Sequence, residues 1–142
     1  MDQKVEMLDF IQSNAEMKKN TLKKLIDKVD DPGFAGILAA QYDQYHDIYK
    51  KCEVKIQDSD LYIKEINPIT KATADLMINI RTLNNKTPAH VAEILFQDDN
   101  EKILDLRKKM KENTDIPQDI ADLSASLLQA EETSAENMKR YL

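Results

Sequence analysis

Tryptophan is absent from the 142-residue chain, cysteine occurs once and glycine twice, and no apolar run approaches the length of a membrane span. Each scarcity excludes something. A lone Cys52 cannot close an internal disulfide, so the chain is not a cross-linked secreted scaffold and suits a reducing cytoplasm. Two glycines cannot supply the turns of a hairpin-rich sheet, whereas abundant Lys, Glu, Asp, Leu and Ile suit long helices with short connections. A span needs about 20 consecutive apolar residues, which excludes membrane insertion as an expectation. The start, Met1-Asp2-Gln3-Lys4-Val5-Glu6, lacks the apolar centre of a secretory signal. The formal charge of −6 disfavours a general grip on nucleic acid, which works by displacing counterions with excess Lys and Arg. Local basic pairs such as Lys23-Lys24 and Lys108-Lys109 read as solvated helix faces. The length suits one domain over residues 1–142.

What is present is punctuation by proline. Asp31-Pro32, Asn67-Pro68 and Thr87-Pro88 each set a capping oxygen before a proline, and Asp115-Ile116-Pro117 sets it one residue earlier. Proline tolerates the first helical turn because its missing N–H has no partner there. The preceding oxygen can accept one of the orphan N–H groups. These marks predict helices over about residues 3–29, 33–57, 68–83, 88–112 and 117–141. Asn84–Thr87 interrupts the third helix, and Asp98-Asp99-Asn100 is expected to interrupt it again. The tight turn Asp30–Gly33 predicts an antiparallel hairpin of the first two helices.

Periodicity agrees with this division. At 100° per residue Leu8, Ile11, Ala15, Leu22 and Leu25 share one face of the first helix, as do Phe34, Leu38, Tyr45, Ile48 and Cys52 on the second. Ile69, Leu76, Met77 and Ile80 mark the third, and Ile120, Leu123, Leu127, Ala130 and Met138 the last. The expected architecture is all-α: a four-helix bundle whose third helix is broken.

Carboxylate-bridged metal sites in bundles use a Glu from each of two helices and a Glu-x-x-His from each of the others, all inward. Fragments of that chemistry occur at Glu16, Asp43-x-x-His46, His90-x-x-Glu93 and Glu131. Their directions disagree. Glu16 lies roughly 140° from the centre of its apolar face, Asp43 roughly 160° and His46 roughly 100°, whereas Glu131 lies roughly 40° away. Ligands pointing to different sides cannot close a chelate. His90, Glu93 and Gln97 share a stripe, read as a helix start with surface residues. The alternative is a degenerate iron or manganese site at the break, using His90, Glu93, Glu131 and His46.

Other polar residues face inward. Lys18 sits near the centre of its apolar face, with Asn14 one turn earlier; Gln41 and Tyr45 face inward on the second helix, and Glu131 with Ser134 on the last. A buried lysine is costly unless paired. The expectation is a Lys18–Glu131 ion pair completed by Asn14, Gln41 and Tyr45. The competing reading has Lys18 snorkelling to the bundle edge with Glu131 half exposed. Cys52, in line with Tyr45 and Ile48, reads as a buried inert thiol. Gly33-x-x-Gly36 lacks the preceding strand of a phosphate loop.

The stretches Asn14–Met17, Thr21–Ile26, Gln41–Tyr45 and Pro88–Leu95 together resemble small bacterial proteins of Firmicutes type in the ferritin-like helical superfamily, over nearly the whole chain. That resemblance implies an antiparallel ferritin-like bundle and names no activity. Two inward Glu-x-x-His pairs are missing, so ferritin-type iron oxidation does not follow from it, and no cofactor is expected. The functional expectation is a non-catalytic bundle acting through a protein surface, toward another protein or a second copy of itself. Phe10, Met17, Ile78 and Phe96, off the main apolar faces, are the residues expected to contribute. A metal-dependent oxidoreductase or metal store is the alternative, and a small-molecule carrier using the polar interior is a third.

Overall fold

A computed structural model describes residues 2–58, 80 and 83–142. They form four helices: α1 (Gln3–Ile26), α2 (Pro32–Asp58), α3 (Pro88–Glu112) and α4 (Gln118–Lys139), with no strand among the described residues. The third helix expected over 68–83 falls outside the described residues apart from Ile80 and Leu83, both buried. Ile78 also lies outside them.

The helix starts follow local chemistry. Asp2 Oδ1 accepts the Lys4 N–H at 3.0 Å to open α1. Asp31 Oδ1 accepts the Phe34 N–H at 2.9 Å ahead of Pro32, and Thr87 Oγ1 accepts the His90 N–H at 3.4 Å ahead of Pro88. Each satisfies a first-turn donor that has no partner within its helix. The fourth start differs from expectation. Pro117 itself takes the cap position and no side chain caps α4. The Asp115 N–H donates to Gln3 Oε1 at 2.9 Å. At its other end α3 closes on Asn113, whose side-chain amide donates to the Lys109 carbonyl at 2.9 Å.

Asp98-Asp99-Asn100 does not break α3, which runs unbroken through it. Two aspartates and an asparagine compete with helix through their own backbone hydrogen bonds. Here tertiary partners overrule that preference.

The core is built from Leu8, Ile11 and Leu22 of α1, Phe34, Leu38 and Ile48 of α2, Val91, Leu95 and Leu106 of α3, and Ile120, Leu127 and Met138 of α4. Burying such a side chain contributes about 1.5–3 kcal/mol. α1 packs chiefly on α2 and α3 on α4, and the two pairs meet through α2–α4 and α1–α4 contacts. Polar links tie the ends: Glu6 to Lys109 at 2.8 Å and Lys55 to Asp119 at 2.9 Å. Phe10 and Phe96 pack half-buried against the core, and Met17 is half-buried as well, so none of the three stands free on the surface. Among the described residues no helix is long and apolar enough to cross a membrane.

Candidate functional site: a charged cluster inside the bundle

At mid-height the apolar core gives way to charge. Lys18 is 3% exposed, Asp99 0% and Glu131 1%. α1 carries Lys18 inward because the residue continues the stripe Ile11–Ala15–Leu22. α3 carries Asp99 inward because it continues Ala92–Leu95 toward Leu106. α4 delivers Glu131 and Ser134 one turn apart, opposite Tyr45 and Gln41 on α2.

Lys18 Nζ donates to Asp99 Oδ1 and, at 3.1 Å, to Asp98 Oδ2. Glu131 Oε2 stands farther off, at 3.9 Å. The expected Lys18–Glu131 pair is therefore corrected: the ammonium's hydrogen-bonded partners are the two aspartates, and Glu131 is an electrostatic neighbour. Ser134 Oγ donates to Asp99 Oδ2 and also lies 3.2 Å from Gln41 Oε1. Its one proton belongs with the charged carboxylate. Asn14 is only half-buried and turns its amide to its own helix, donating to the Phe10 carbonyl at 2.8 Å. Tyr45 lays its ring 5.9 Å from the Lys18 ammonium. Among the described residues, Gln41 Nε2, Tyr45 Oη and Glu131 Oε2 are buried without a hydrogen bond.

The charges do not cancel. Among the described residues the Lys18 ammonium faces Asp98, Asp99 and Glu131, and only Asp98, at the rim, draws on a second cation, Lys102 at 3.9 Å. Burial works against the Lys18 charge, yet Asp99, Asp98 and Glu131 together hold its proton well above the usual lysine range. Burial pushes the Asp99 carboxyl up against the pull of Lys18 and Ser134. Glu131 is pushed up to about 7, by burial first, with Lys18 opposing and Asp99 adding repulsion. Tyr45 is raised as well, by burial and then by Glu131, which keeps its phenol protonated. Glu131 thus holds a proton that ordinary glutamates have lost near neutrality.

A carboxyl poised near neutral pH can act as acid or base, but this one has little to act on. The cavity it lines among the described residues is about 10 Å³, too small for an organic molecule. A roomier groove, about 390 Å³, lies elsewhere, between Lys50–Lys55 of α2 and Asp119–Ser126 of α4. Its lysines are committed: Lys55 to Asp119, Lys51 to Asp47 at 3.0 Å and Lys50 to Glu53 at 3.4 Å.

The alternative metal ligands are dispersed. His90 is half-buried and Glu93 exposed, both in the first two turns of α3. His46 is half-buried on α2, its ring stacked 5.8 Å from that of Tyr42 and its Nδ1 3.5 Å from Lys19 Nζ. Glu131 is alone among them in the interior. Among the described residues, no three His, Cys, Asp or Glu side chains stand where they could hold a metal ion. Cys52 is fully buried, and burial pushes its thiol up to about 12.

Sequence reasoning missed Asp99, the residue on which the cluster turns. The signal was present: Asp99 follows Ala92 and Leu95 and precedes Leu106 at core spacing. Composition alone marked it as a helix breaker. The chain matches no protein-family model, no curated protein and no solved structure.

Proposed function

We propose that the chain is a ferritin-like antiparallel bundle, its third helix broken before Pro88, that serves without catalysis and acts through protein–protein contacts. The order of contacts along the helices supports the architecture. Gln3, Glu6 and Lys18 of α1 meet Asp115, Lys109 and Asp98 in turn, so α1 and the α3 end of the chain run oppositely. Gln41 and Lys55 of α2 meet Ser134 and Asp119 of α4 in the same opposed sense. The resulting order is up, down, down, up, with α2 and α3 parallel, an order shared by ferritin-like folds.

One observation carries the functional reading: the place inside the bundle where carboxylates converge is filled by the protein's own ammonium. Lys18 supplies the positive charge that Asp98, Asp99 and Glu131 would otherwise draw from a bound cation. Such a centre sets helix register more than it adds net stability. Recognition is then left to the outer faces, where a net charge of −6 favours protein partners over nucleic acid.

The test combines metal analysis with light scattering. Protein purified without chelators from cells supplied with iron and manganese should carry no stoichiometric metal and should self-associate, or co-purify with one defined protein. Stoichiometric metal that disappears in His90→Ala or Glu131→Gln would overturn the reading in favour of a metal-dependent oxidoreductase or metal store.

A further inference from the structure

The cluster has one face turned to α1, where the small cavity has Asn14, Lys18, Asp98 and Glu131 among its walls. Three polar groups there have hydrogen-bonding capacity left over. An ammonium carries three N–H bonds, and Asp98 and Asp99 take two of those on Lys18. The third has Glu131 Oε2 before it at 3.9 Å, too far for a direct hydrogen bond. That oxygen is buried and, among the described residues, accepts no hydrogen bond. Asn14 spends its Nδ2 on the Phe10 carbonyl, which leaves Oδ1 as its acceptor.

We propose that this cavity binds one ordered water molecule, which accepts from Lys18 Nζ and donates to Glu131 Oε2 and to Asn14 Oδ1. Size and charge both select it. A water needs roughly 10–15 Å³ of such space and typically about three polar partners, and the cavity offers about 10 Å³. A metal cation would have to sit beside the Lys18 ammonium, and an anion beside the acidic side chains of Asp98 and Glu131. Neutral water alone meets a donor and two acceptors without repulsion. Bound there, it connects Asn14 to the cluster and relieves a buried carboxyl oxygen that otherwise lacks a partner. It also carries the Lys18–Glu131 interaction across a gap that direct contact does not close.

Two measurements test the proposal. In a crystal structure of the chain at better than about 2 Å, a density peak is expected within hydrogen-bond reach of Lys18 Nζ, Glu131 Oε2 and Asn14 Oδ1. Clear density for all three side chains with none between them would overturn it. In solution, oxygen-17 relaxation dispersion counts long-lived internal waters. Asn14→Leu puts an apolar branch in place of the amide and should lose one long-lived water relative to the unmodified chain, with helix content retained. An unchanged dispersion amplitude overturns the assignment, as does a metal ion in place of the water.

Discussion

Lys18 on α1 and Asp99 on α3, 81 positions apart in the chain, form an ion pair buried on all sides, with the aspartate's second oxygen held by Ser134. Removing one partner of a buried pair costs about 3–5 kcal/mol where the other charge is stranded, and Asp99→Leu leaves Lys18 with only the rim carboxylate of Asp98 at 3.1 Å and Glu131 at 3.9 Å. Asp99→Leu should therefore destabilise strongly. Lys18→Met should cost less, because the carboxylates left behind can neutralise themselves by taking up protons. The double variant Lys18→Met/Asp99→Leu should recover most of the loss, since well-packed apolar side chains replace a buried pair at little or no penalty. Urea denaturation of all four proteins gives the coupling directly. Additive losses would show that the pair does not act as a unit.

The Glu131 carboxyl makes stability depend on pH in a sense opposite to that of most paired carboxylates. Its proton is held to about pH 7 in the folded chain against an ordinary value of 4.5. Below that ordinary value both states carry the proton and the full contribution is present. Between about pH 4.5 and 7 the unfolded chain releases it while the fold retains it, so stability falls as pH rises, by roughly 3 kcal/mol at most. Asp99, also raised by burial, adds to the same trend. Glu6 and Asp119 are lowered by Lys109 and Lys55, so their contributions are lost only in acid below this window. Urea midpoints at pH 5, 6, 7 and 8 should decline for the unmodified chain and much less for Glu131→Gln. Parallel profiles would remove Glu131 as the source.

Helix content and inward faces were legible because apolar spacing and capping chemistry are local. Asp31, Thr87 and the prolines behind them announce their helices within four residues. The polar cluster was legible only where a charged residue interrupts an apolar stripe, as Lys18 and Glu131 do. Asp99 was obscured by its neighbours Asp98 and Asn100, which together read as a stop. Their continuation as helix depends on Lys18 and Ser134, on two other helices, and no window of local sequence contains those partners. Likewise Pro117, not Asp115, takes the cap position of α4, and the Asp115 N–H is held by Gln3 from the far end of the chain.

Cys52 should be inert in the folded state. It has no exposed surface, and burial pushes its thiol up to about 12, so almost none is thiolate at pH 8. Thiol titration with a disulfide reagent should show no fast reaction in native buffer and one equivalent in denaturant. Rapid native labelling would mean that α2 opens locally at Cys52.

The two glycines of α2 should respond oppositely to the same substitution. Gly36 lies exposed within the helix, and a methyl group added there meets nothing within 4 Å. Gly36→Ala narrows the unfolded ensemble without strain and should stabilise by about 0.5–1 kcal/mol. Gly33 stands one residue after Pro32, and a methyl group added there comes within 3.2 Å of Asp31 Oδ1. That oxygen is the cap that accepts the Phe34 N–H, and a cap of this kind is worth about 1 kcal/mol. Displacing it would offset the gain in helix propensity, so Gly33→Ala should be neutral or destabilising. Thermal melts of both variants decide the matter. A gain at Gly33 equal to that at Gly36 would mean that Asp31 can give way without losing its hydrogen bond. In that case Asp31→Ala should cost its usual amount in the unmodified chain and no less in the Gly33→Ala background.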